Sequence, residues 1–126
     1  MSAPHNKLQS ECFLWAFNER PQTRQLMFSS TNNLSTQLDE KGSMAKMSQL
    51  KALGVVKGVT DLVFFWSGRL FGMDIKIGRD KFSKEQNEFV SKLRENGGNG
   101  FEIRSLEQFK EEIDCILTNG CLTSEL

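Results

Sequence analysis

The chain has 126 residues, with 16 Lys and Arg against 16 Asp and Glu, so its formal net charge is zero and no global field draws it to nucleic acid. Apolar residues make up 38% and charged residues 25%, which fits one soluble globular domain, and no run approaches the roughly 18 apolar residues of a membrane span. Cys12, Cys115 and Cys121 lack paired spacing and His5 is the single histidine, which argues against a disulfide framework, a Cys-based zinc site and His-dependent triads and leaves carboxylates, Lys, Gln and backbone to run any chemistry.

Residues 1–7 read as a disordered tail that carries His5. They contain no basic region followed by an apolar run, so no secretion signal is expected and a cytoplasmic location is. Leu8 to Glu19 has Leu8, Cys12, Trp15 and Ala16 at helical spacing, and Pro21 ends that helix. Cys12 is expected to pack as a small apolar residue. Gln25 to Ser30 is a first strand. Thr31 to Ser43 is a polar loop, and Met44 to Leu53 a helix stopped by Gly54. A strand from about Asp61 to Trp66 turns at Ser67-Gly68 into a second, Leu70 to Ile77. Gly78 to Phe82 is a loop and Ser83 to Glu95 a helix. Asn96 to Gly100 is a flexible break, Phe101 to Arg104 a last strand, and Ser105 to Leu117 a last helix before a tail at 118–126. The order α-β-α-β-β-α-β-α predicts an α/β fold, a mixed sheet flanked by helices.

Alternation along the second hairpin strand puts Phe71, Met73, Ile75 and Ile77 on one face and Gly72, Asp74 and Lys76 on the other. Asp74 and Lys76 therefore point the same way, roughly 6.5–7 Å apart. A turn at Ser67-Gly68 sets Asp61 opposite Asp74. Two converging carboxylates repel unless a cation sits between them, and Mg²⁺ favours one or two carboxylates with further oxygens, such as the carbonyl of Ile75. A lysine beside such a pair suits hydrolysis of a phosphodiester.

Other readings of these residues stand alongside. Asp74 and Lys76 fit an exposed strand face equally well. Gln86 lies in the apolar stripe of its helix and fits a buried site partner, or it closes the capping box Ser83-Lys84-Glu85-Gln86. Glu11 lies within the apolar arc of the first helix, as a site acid or a boundary residue. Lys41, Lys46, Lys51 and Lys57, then Arg69, Lys76, Arg79, Lys81 and Lys84, form local basic runs, which are phosphate contacts or a solvated face.

Three stretches, "GVVKGVTDLVFF", "LFGMDIKIGRDKFSKEQNEF" and "GNGFEIRSLEQF", together resemble the virus-type replication-repair nuclease domain (VRR-NUC), a branch of the PD-(D/E)xK nuclease superfamily. The resemblance runs from residue 8 to about 113. It implies a restriction-endonuclease-like core and a Mg²⁺- or Mn²⁺-dependent DNA endonuclease. Asp61 and Asp74 match the metal-binding acids, Lys76 the catalytic lysine and Gln86 the helix glutamine that supports lysine and water. Glu11 matches a further acid of the metal shell, and Ile75 would lend its carbonyl. The stretch "AKMSQLKALG" is similar to the family as well, with Lys46 and Lys51 as phosphate contacts beside Lys41, Arg79 and Lys81. The chain departs from many members at Thr60, where they have Pro, and at Asp74, where they have Glu. Small members are homodimers on branched DNA such as four-way junctions, which implies a homodimer here and a role in replication, recombination or repair, in a phage or mobile element. A nicking or restriction-type nuclease, an inactive nucleic-acid-binding module and an unrelated α/β interaction domain are the alternatives.

Overall fold

The computed structural model describes residues 3–30 and 48–119. The expected loop at 31–43, most of the helix expected at 44–53, and the tail from residue 120, with Lys41, Lys46 and Cys121, lie outside the described residues. Helix α1 (Ala3–Glu19) is followed by a 3₁₀ turn (Pro21–Thr23) and strand β1 (Met27–Ser29). The described part of α2 covers 48–52. Then come β2 (Leu62–Trp66), β3 (Arg69–Ile75), α3 (Lys84–Glu95), β4 (Asn99–Ile103) and α4 (Leu106–Asn119).

The four strands form one mixed sheet in the order β1-β2-β3-β4. β1 to β3 pair antiparallel, and β3 pairs parallel with β4. The β2–β3 hairpin closes through Ser67 (φ 52°) and Gly68 (φ 81°). Two successive positive φ values match the right-handed twist of the flanking strands. That turn sets Leu62 opposite Met73 and Trp66 opposite Arg69, the register expected from the sequence.

One sheet face carries the core. Leu62, Phe64, Phe71, Met73, Ile75 and Ile103 meet Cys12 and Ala16 of α1 and Phe109, Ile113 and Ile116 of α4. Each fully buried aliphatic or phenyl side chain contributes about 1.5–3 kcal/mol. Cys12 is fully enclosed, and burial pushes its thiol up to about 12, as befits a packing residue. Arg20 clamps the end of α1 to α4 by two bonds to Asp114, at 2.6 and 3.0 Å.

Helix α3 packs against β3 and β4, on the other face. Two glycines that are register partners, Gly72 and Gly100, let it approach. A Cβ on Gly72 would sit 2.6 Å from Thr60 Oγ1 and 3.1 Å from the Phe89 ring. One on Gly100 would sit 2.5 Å from Val90 Cγ2. All three distances lie inside van der Waals contact, so the absence of side chains is what seats the helix.

Two expectations are corrected. Residues 3–7 are the first turns of α1, where a disordered tail was expected. The break expected at Asn96–Gly100 ends early, because Asn99 and Gly100 are already in β4, pairing with Phe71 and Gly72. No helix among the described residues is long and apolar enough to cross a membrane.

Candidate active site

Asp61 stands at the entry to β2 and Asp74 near the end of β3, and both are buried, at 7% and 2% exposure. The hairpin register brings them together. The amide of Asp61 donates to Asp74 Oδ1 at 3.0 Å, and the amide of Ile75 donates to Asp61 Oδ2 at 2.9 Å. Ile75 thus enters the site through its N–H.

Lys76 follows β3, and its amide extends the parallel ladder to the carbonyl of Ile103 at 2.9 Å. Its ammonium lies 2.7 Å from Asp74 Oδ2 and 2.9 Å from Gln86 Oε1. The exposed-face alternative for Asp74 and Lys76 does not hold, because their side chains are only 3% and 12% exposed.

Gln86 fills both of its readings at once. Ser83 caps α3 by accepting from the Gln86 amide, and Gln86 Oε1 accepts from the Ser83 amide at 2.9 Å. The same side chain turns its Nε2 to Asp74 Oδ2 at 3.0 Å. The capping box fixes the rotamer, and the free end of the amide reaches the carboxylate.

The residue that α1 contributes is His5, where Glu11 was expected. Its Nε2 is 3.0 Å from Asp61 Oδ2, whereas Glu11 is on the exposed side of the helix. His5 lies seven residues before Cys12 and eleven before Ala16, on the stripe that faces the core. That spacing places His5 on the stripe only because α1 begins at Ala3.

Glu102 carries no local signal in the sequence. It is the β4 register partner of Asp74 and accepts from the Phe82 amide at 2.6 Å. Arg104, two residues on, reaches the carbonyls of Gly78, at 3.0 Å, and Asp80. Together they tie down residues 78–82, the loop that joins Lys76 to the cap of α3. Arg79 and Lys81 stand exposed on this loop, and Lys51 is exposed on α2.

The two acids set the electrostatics. Burial, and then the charge of Asp74, push Asp61 up to about 6, against smaller opposing effects of the Ile75 amide and His5. A divalent cation relieves this kind of crowding. Among the described residues, no three His, Cys, Asp or Glu side chains form a ready-made metal cage. The donors present are two carboxylates, the ligand type that a hard cation such as Mg²⁺ takes together with water.

No family model matches the chain, and no curated protein or solved structure matches it either.

Proposed function

We propose that the chain is a Mg²⁺- or Mn²⁺-dependent DNA endonuclease with a restriction-endonuclease-like core, of the VRR-NUC type. The observation that carries this reading is the unbroken set of contacts joining Asp61, Asp74, Lys76 and Gln86 on one buried patch.

Asp61 and Asp74 would hold the cation. The chemistry it supplies when bound is charge neutralisation at the phosphoryl group. Lys76, its ammonium fixed by Asp74 and Gln86, works as a hydrogen-bond donor. It orients the attacking water and offsets negative charge that builds on the phosphate oxygens in the transition state. Gln86 keeps the ammonium from folding onto Asp74 alone. Lys51, Arg79 and Lys81, with Lys41 and Lys46, would supply phosphate contacts. A homodimer acting on branched DNA in replication, recombination or repair completes the reading, by its resemblance to small members of that family.

The test is cleavage of labelled four-way junction, flap, single-stranded and duplex DNA with Mg²⁺ or Mn²⁺, wild type beside Lys76→Ala. The expected result is cutting by wild type, preferentially of branched DNA, and binding without cutting by Lys76→Ala. Wild-type binding with no cleavage of any substrate would replace the enzyme with a binding module of the same fold. Sedimentation as a monomer, free and with DNA, would remove the dimer.

A further inference from the structure

Helix α1 meets the acid pair through one polar side chain. His5 Nε2 lies 3.0 Å from Asp61 Oδ2, and the two side chains are 13% and 10% exposed. The same oxygen accepts from the Ile75 amide at 2.9 Å. Asp61 stands one residue before β2, its carbonyl held by the Ser30 amide at 3.0 Å, so the hydrogen bonds of its carboxylate come from elsewhere. Its side chain is thus fixed by one donor from β3 and one from α1.

The helix cannot present His5 and Glu11 to the same place. Six residues at 3.6 per turn leave them about 120° apart around the axis. The face that carries Cys12 and Ala16 into the core is the one that carries His5 to the site. Core packing of α1 therefore sets the height and angle of the imidazole over Asp61.

We infer that His5 is a positioning residue for the metal-holding carboxylate of Asp61, and that the first turns of α1 are part of the active site. The inference rests on the nuclease reading above. A carboxylate that ligates a metal is oriented by its outer hydrogen bonds, and loss of such a partner typically lowers metal affinity by about 10–100-fold. With Oδ2 held by the Ile75 amide and by the imidazole in its Nε2–H form, the carboxylate is restrained in one orientation. Without His5, the Ile75 amide is left without its companion on Oδ2, and the side chain gains freedom to swing.

The experiment is calorimetric titration with Mn²⁺ alone on the full chain, for wild type, His5→Ala and His5→Gln, with circular dichroism and melting of each. Ala suits a helix interior and removes the donor; Gln keeps an N–H at a similar reach. The expected result is about a tenfold or greater loss of Mn²⁺ affinity in His5→Ala and recovery to within a few-fold in His5→Gln. In single-turnover cleavage, His5→Ala lowers the rate at subsaturating Mn²⁺ and leaves DNA affinity unchanged. Wild-type affinity in His5→Ala, or equal losses in both variants, would overturn the inference while the nuclease reading stands. Failure of wild type to bind Mn²⁺ would overturn that reading, and this inference with it.

Discussion

The amide of Asp61 donates to Oδ1 of Asp74 at 3.0 Å, so two antiparallel strands hold two buried carboxylates against each other. The folded chain thereby keeps Asp61 protonated to about pH 6, against 3.8 for an unperturbed side chain. A folded-state value above the unfolded one contributes stability that is full below about pH 4 and is lost as pH rises through about 6.

In the absence of divalent metal, the stability of the wild type is therefore expected to fall across that window relative to Asp61→Asn. The difference between the two curves should reach on the order of 3 kcal/mol. Denaturant titrations at a series of pH values in chelator measure it. Curves that run parallel would show that folding does not raise the Asp61 carboxyl, by burial or by the charge of Asp74. Saturating Mn²⁺ should restore the wild type above pH 6 by mass action.

Lys76→Ala leaves Asp74 buried without its ammonium, and a broken buried pair typically costs about 3–5 kcal/mol. Cleavage is expected to drop about 10²–10⁴-fold in the fraction that remains folded. Lys76→Arg should recover most of the stability. Its planar guanidinium cannot reproduce one ammonium shared between Asp74 and Gln86, so the rate should stay low. Denaturation midpoints beside single-turnover rates separate the two effects. Full activity in Lys76→Arg would make charge alone sufficient.

Gln86→Glu isolates the cap from the site. A carboxylate can still accept from the Ser83 amide, so helix α3 should keep its stability to within about 1 kcal/mol. It has no N–H to offer Asp74 and adds a third acid to the patch. Cleavage should fall tenfold or more, while at a pH low enough to protonate the added acid the melting temperature changes little. Gln86→Ala should lose both. Equal losses of stability in the two variants would reduce Gln86 to a capping residue.

Gly72→Ala forces a methyl to 2.6 Å from Thr60 Oγ1 and 3.1 Å from Phe89. Thr60 is buried and donates to the carbonyl of Leu62 at 3.0 Å, so it has little room to yield. Overpacking of this kind costs about 1–3 kcal/mol and pushes α3, with Gln86, off the sheet. Thermal melting and cleavage should decline together. A fully active, fully stable Gly72→Ala would mean that α3 is not held at this distance.

Binding to DNA should be strongly salt-dependent, because phosphate contacts release counterions. Arg79→Ala and Lys81→Ala should each reduce the slope of log affinity against log salt by about 1 and leave the choice among DNA structures unchanged. Fluorescence anisotropy over a range of salt reads this directly. An unchanged slope would take the loop at residues 78–82 out of the interface.

Local signals carried much of the candidate site. Ser67-Gly68 sets a two-residue turn, a two-residue turn sets the register, and the register sets Asp61 against Asp74. Period-two alternation separated Phe71, Met73 and Ile75 from Gly72 and Asp74. The capping box fixed where α3 begins, and with it the place of Gln86. Each of these rules acts over a few residues, so each can be read along the chain.

The remaining contacts join residues far apart in the chain. His5 and Asp61 are 56 residues apart, and whether His5 or Glu11 faces the site depends on how α1 lies on α4 and the sheet. Glu102 comes beside Asp74 through a parallel pairing, and a parallel pair is joined by a helix rather than a tight turn, so no local signal sets its register. The last two residues of the break expected at Asn96–Gly100 are strand, and Gly100 opposite Gly72 is what lets α3 close down. A glycine read alone looks like freedom; set against Val90, it is the space one side chain leaves for another.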